Sequence, residues 1–123
     1  MIRTMRKGEA LPPELKTGYE RGNSMPEWIF LAEEDGQPTA ILVAAPAHIV
    51  VVLMRVVATP KAKVTALRSL LLYFLETIRE RGYNGYFVMI NPEIQQEAAL
   101  GRIVEATGGV KIPEPHYFCV GVA

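Results

Sequence analysis

The sequence predicts a mixed α/β fold: a mixed sheet with helices on both faces, in the order β-α-β-β-β-α-β-α-β. Three observations predict it. Two strand-like runs, residues 28–32 and 39–45, flank Asp35-Gly36, a dipeptide favoured in tight hairpin turns because both positions tolerate φ > 0. A third run, residues 49–58, is nearly all β-branched or apolar, as a strand covered on both faces is. An amphipathic stretch and a fourth apolar run, "YFVMI" at residues 86–90, follow it. Strand, helix and strand in that order make a right-handed parallel crossover.

The elements follow in order. "MIRTMRKGEA" begins with the alternation of an edge strand. "PPELKTGYERG" reads as a short helix, with Pro12 and Pro13 in its first turn, Glu14 at its positive end and Gly22 as its stop, weakened by Gly18. The two runs about Asp35-Gly36 form a hairpin, and Pro46-Ala47-His48 reverses the chain into the third strand. The three make an antiparallel meander whose last strand is central. Val64, Leu67, Leu70, Leu71, Phe74, Leu75 and Ile78 then fall on one stripe of helical period. Arg68, Glu76, Arg79 and Glu80 lie mostly off it, and Gly82 is its stop. Asn84-Gly85 leads into "YFVMI". Asn91-Pro92-Glu93 supplies a cap side chain, a first-turn proline and an acid for a helix running to about Thr107. Gly108-Gly109 ends that helix, and "HYFCVGVA" is the last strand.

Composition narrows the function. A chain of 123 residues is read as one domain, 1–123. Thirteen basic and thirteen acidic residues cancel, which argues against nucleic acid as a partner, since its binders usually carry a basic excess. Cys119 is the sole cysteine, so no internal disulfide forms, and it reads as a small apolar residue. Residues 1–7 are polar with no apolar stretch after them, unlike a secretory leader. The most apolar run, residues 40–54, is broken by Pro46 and His48 and is too short for a bilayer. The expected compartment is the cytoplasm, and no membrane partner is expected. His48, His116 and Cys119 are too scattered for a metal site.

The segment "RVVATPKAKVTALRSLLLYFLETIRERGY", from Arg55 to Tyr83, carries the functional question. Strand, loop and helix in succession present backbone N–H groups to a phosphate, yet there is no glycine between Pro60 and Leu71. The segment resembles the GCN5-related N-acetyltransferase (GNAT) superfamily. So do "GQPTAILVAA" after its turn, "VVLMRVVATP" with its closing proline, the leucine pair Leu70-Leu71 with the closing "RGY", "FVMIN", and "LGRIVEATGGV". The resemblance covers nearly the whole chain. It implies that strands 49–58 and 86–90 splay apart, that acetyl-coenzyme A lies between them, and that its diphosphate rests on the loop before the long helix.

The loop departs from the family pattern. Residues 62–67, "AKVTAL", fill the slot, with Thr65 and Leu67 where the family has glycine. Both resist the left-handed conformations and close approach that glycine permits. An alternative is that the loop has gone, Thr59 capping a helix whose first residue is Pro60. Coenzyme contacts implied by the resemblance fall on Val56, Val57, Ala58, Lys61, Lys63, Thr65 and Asn91, with binding expected to be weak or absent. Lys61 and Lys63 act there as point charges or are simply solvated. The family's usual tyrosine acid falls on Val104 or Glu105, and residues 94–110 hold no tyrosine. His48, Arg55 and Tyr117 remain as catalytic candidates. His48 also suits a turn, Tyr117 suits a core, and Arg55, which interrupts an apolar strand, either finds a structural partner or faces the acceptor.

Two functions follow. One is a divergent N-acyltransferase, moving an acyl group from acyl-coenzyme A to a small-molecule or protein amine. The other is a non-catalytic protein of the same fold, acting as a homo-oligomer or in a larger assembly, such as a phage-encoded structural component associated with the virion.

Overall fold

The computed structural model describes residues 1–16, 25–63, 65–90, 93–111 and 117–121, with the backbone alone at 96 and 117–121. Strands β1 (Ile2–Thr4), β2 (Ile29–Glu34), β3 (Gln37–Ala47), β4 (Val50–Ala58), β5 (Gly85–Met89), β6 (Val110–Lys111) and β7 (Tyr117–Gly121) form one sheet. Their order is β1-β2-β3-β4-β5-β7-β6. The expected meander is β2-β3-β4, and β4 pairs in parallel with β5 across helix α2 (Ala66–Glu80). Helix α3 (Gln95–Ala106) follows β5, and α1 (Pro13–Lys16) follows β1.

Helices cover both faces, because strand alternation sends apolar residues to each. Phe30 of β2 and Leu42 of β3 join Leu70, Leu71, Phe74 and Val104 on the α2–α3 side. Their neighbours Ile29, Leu31, Ile41 and Val43 meet Leu11 and Leu15 on the α1 side. The β2–β3 turn is the one Asp35-Gly36 announces: φ is 52° at Asp35 and 76° at Gly36, the positive pair that matches strand twist.

Several boundaries differ from the sequence expectation. Trp28 belongs to a 3-10 turn, Pro26–Trp28, started by Pro26, and β2 begins only at Ile29. Pro46 and Ala47 remain in β3, paired with Val51 and Val50, and the reversal falls on His48, at φ 62°. Pro46 is tolerated because β2 pairs with β3 no further than Val43, so a missing N–H on that edge breaks no ladder. Helix α1 stops at Lys16; the remainder of the expected helix, residues 17–24, lies outside the described residues. Helix α3 starts at Gln95 rather than beside Asn91-Pro92: Ile94, at ψ 120°, keeps an extended backbone before it. Strand β6 was not expected.

The early-start alternative for α2 does not hold. Pro60 lies in a turn closed by the Ala62 N–H on the Thr59 carbonyl (3.0 Å), and the helix begins at Ala66. Of the expected stripe, Leu70, Leu71, Phe74 and Ile78 are fully buried and Leu75 is half-buried. Leu67 is half-buried and turns instead toward a cleft, while the Val64 call lies outside the described residues.

The N-terminal edge is held by one ion cluster. Arg3 donates to Glu9 (2.6 and 2.8 Å) and to Glu33 (2.6 and 2.8 Å), tying β1 to β2 and to the turn after it. Hydrogen bonds from Arg3 hold the Glu9 carboxyl down at about 2. A depressed carboxylate contributes stability above its unfolded value, and that contribution fades as pH falls toward the folded one. Urea melts of wild type and Glu9→Gln should therefore differ at pH 7 by about 1 kcal/mol, allowing for solvent screening. The difference should shrink between about pH 5 and pH 2; a constant gap across that range would deny the linkage.

Candidate active site

Pairing between β4 and β5 runs from Val50↔Gly85 to Leu53↔Val88 and stops, although β4 continues along β3 to Ala58. A bulge lies at that point. Val43 pairs with Arg55 and Ala44 with Leu53, leaving Met54 without an opposite number. A bulge bends its strand and increases its twist, and here β4 leaves β5. It also switches which residues face which side. Val51 and Leu53 point to the α2 side before it, Val56 and Ala58 after it, and Val57 to the α1 side. The expectation of a strand covered on both faces therefore fails beyond Leu53: Met54 is 55% exposed and Arg55 is exposed.

The separation opens a cleft of about 910 Å³. One wall is β4 from Leu53 through Thr59 and Pro60; the other is Val88 and Met89 with the start of α3. Leu67, in the first turn of α2, lies at its end. Among the lining residues only Arg55 and Glu97 carry charge. Along the cleft, β4 past Leu53 has no ladder partner on the β5 side, so its N–H and C=O groups present an edge to which an extended ligand can add as a strand.

The loop at the head of α2 persists but is not a glycine cradle. Thr65 caps the helix with ordinary right-handed angles, φ −82° and ψ −7°, and without a side-chain cap bond. Positive φ outside glycine occurs only at Asp35 and His48 among the described residues. One loop N–H is already engaged: Lys63 donates it to the Glu34 carboxylate (3.0 Å), which reaches over from the end of β2. An N–H committed to an internal carboxylate is not offered to an outside anion.

The structure brings some predicted site residues together and separates others. Arg55, Val56, Val57 and Ala58 line the cleft. Lys61 is exposed in the turn before α2, and Lys63 and Thr65 line a second depression, beside the β2–β3 hairpin. His48 sits in the β3–β4 turn at the far end of β4, roughly 17 Å from Leu53 at about 3.3 Å per strand residue. Tyr117 begins β7 and pairs with Met89, itself a cleft residue. Asn91 lies outside the described residues. Tyr86 is fully buried near the opposite end of β5 and is not among the residues lining the cleft; burial pushes its phenol well above the usual range. Sequence reasoning missed Met54, Met89, Ile94 and Glu97 in the lining and Glu34 in the loop. A bulge has no residue signature of its own, and the Glu34–Lys63 contact joins residues 29 apart in the chain.

A central parallel pair that splays apart, with a loop and helix between its strands, is the arrangement the GNAT resemblance implies. Solved structures bear this out. The chain is similar to the ribosomal-protein-S18-alanine N-acetyltransferase of Escherichia coli, at TM-score 0.75 and 13% identity over 100% of this chain and 94% of that one. It is similar to a GNAT family acetyltransferase from Brucella melitensis in complex with acetyl-CoA, at TM-score 0.70 and 15% identity, covering 100% and 88%. It also resembles the PaiA N-acetyltransferase of Thermoplasma acidophilum in complex with coenzyme A, at TM-score 0.63 and 11% identity, covering 76% and 59%. No protein-family model matches the sequence, and no curated protein does. No helix among the described residues is long and apolar enough to cross a membrane, and no group of three metal-ligating side chains occurs among them.

Proposed function

We propose that the chain is a single-domain GNAT-fold N-acyltransferase that passes an acyl group from acyl-coenzyme A to a small-molecule or protein amine, with a weakened hold on the coenzyme. The observation that carries the reading is the loss of β4–β5 pairing after Leu53, which leaves an open strand edge along an apolar cleft. The thioester arm fits that edge, with the backbone of Val56, Val57 and Ala58 as its partners. When bound, the coenzyme would supply an acyl thioester whose C–S bond breaks as the C–N bond to the amine forms, the sulfur leaving as thiolate and the amine's proton passing to solvent water. The residues of β4 would orient the arm. A thiolate is a good leaving group without an acid because its pKa is far below an amine's. This accommodates an α3 whose buried Val104 and exposed Glu105 stand where the family has its tyrosine. Tyr117, whose strand pairs with the cleft residue Met89, is a further candidate at this site.

The diphosphate end fits poorly. Thr65 holds right-handed angles, the Leu67 side chain lies at the cleft end, and Glu34 takes the Lys63 N–H. Lys61 and Lys63 add a salt-sensitive attraction, and the helix N-terminus adds a partial positive charge. Calorimetry should give acetyl-coenzyme A a dissociation constant no better than about 1 mM, near −4 kcal/mol. A micromolar constant that survives physiological salt would contradict the weak hold. Absence of thiol release with every amine acceptor tested would favour the second reading, a non-catalytic binding or assembly protein, to which the Glu34–Lys63 contact also points.

A further inference from the structure

We propose that Arg55 selects the acceptor, and that the acceptor is an amine that also carries a carboxylate. The inference rests on the N-acyltransferase reading. Arg55 lies on the cleft wall one residue past the bulge, exposed between Met54 and Val56 on an otherwise apolar strand. Among the described residues it has no hydrogen-bond or ion-pair partner, whereas Arg3 has two carboxylates and Arg81 has the Glu27 carbonyl and the face of Trp28. Of the two roles the sequence leaves to an arginine there, structural pairing is thus the one absent among the described residues.

Its direction separates it from the coenzyme's phosphates. Cross-strand partners share a face. Arg55 pairs with Val43, whose side chain packs on the α1 side, while the next pair, Val56 and Leu42, packs on the α2 side. The loop and the first turn of α2 belong to that other side. Along the strand, Arg55 is three residues from its end at Ala58, roughly 10 Å at about 3.3 Å per residue, and the loop lies beyond that end. A guanidinium so placed faces whatever enters the gap from the α1 side, opposite the helix that heads the coenzyme site. Its planar fork matches a carboxylate with two parallel hydrogen bonds. The carboxylate then fixes the substrate, leaving its amine to reach the thioester at the β4 edge.

The test is a binding experiment on the full chain, read from the methionine methyl resonances of Met54 and Met89, both on the cleft. The probes are leucine and leucinamide, which share an amine and a side chain and differ in the carboxylate. Leucine should bind about tenfold or more tightly, the scale of a charged hydrogen bond. Arg55→Gln should reduce leucine to the level of leucinamide, Arg55→Lys should keep part of the difference, and neither should change the acetyl-coenzyme A titration. Equal binding of the two probes, absence of a leucine shift, or Arg55→Gln leaving the difference intact would each overturn the proposal. So would loss of coenzyme binding in Arg55→Gln, which would assign the guanidinium to the coenzyme. The readout needs no turnover, so a failure of acyl transfer with every amine counts against the enzyme reading alone.

Discussion

Phe74→Ala is expected to cost the fold about 3–5 kcal/mol, the range for emptying a buried aromatic site. Phe74 is fully buried in the middle of α2. Its ring meets Phe30 of β2 edge-on at 5.9 Å and Tyr86 of β5 at 5.2 Å. It therefore bridges two strands that do not touch, since β3 and β4 lie between them. Edge-to-face pairs add to area burial, and the gap left by alanine sits under a sheet whose strands are fixed by their ladders, so it cannot easily collapse. A urea melt is the check. A loss within about 0.5 kcal/mol, the scale of surface substitutions, would place Phe74 outside the core.

The same helix shows what was legible in the sequence. The stripe Leu70, Leu71, Phe74 and Ile78 was readable because a helix against a sheet must bury one side at a 3.6-residue period, and those four are fully buried. The Asp35-Gly36 turn was readable because few dipeptides take two positive φ values. The parallel β4–β5 pair followed from two apolar strands with a helix between. What was not legible depends on contacts distant in sequence. Nothing in "VVLMRVV" marks Met54 as the bulged residue, and without the bulge Arg55 has no assigned face. Leu67 fits the helical stripe but belongs to the first turn, beyond the sheet's cover, so it borders the cleft instead. The Glu34 carboxylate comes to the loop only because the hairpin carries it beside the end of β4, where the Thr59 N–H bonds the Thr39 carbonyl at 2.8 Å. Strand β6 is two residues long, too short for any periodicity to announce it.

Gly109→Ala is expected to destabilise the protein more than Gly108→Ala, although Gly108 is the residue with the left-handed backbone, at φ 98°. Both belong to the stop of α3. The Gly108 N–H bonds the Glu105 carbonyl at 3.2 Å and the Gly109 N–H bonds the Val104 carbonyl at 2.8 Å, the paired bonds of a Schellman turn. A methyl at Gly108 meets nothing within 4 Å, so its cost is the conformational one alone, about 1–2 kcal/mol. A methyl at Gly109 would lie 2.7 Å from the Val104 carbonyl oxygen and against the Val104 side chain. That oxygen cannot retreat, because it accepts the closing bond of the turn, and Val104 is fully buried. Relief requires breaking the bond or shifting α3 against the core, which puts the cost at about 3 kcal/mol, the upper end of ordinary overpacking. Leu100, on the same helix as Val104, lines the cleft, so a shifted α3 would also move one cleft wall. Paired urea melts of the two variants decide the matter: equal losses, or a larger loss at Gly108, would show that backbone conformation and not contact governs this turn.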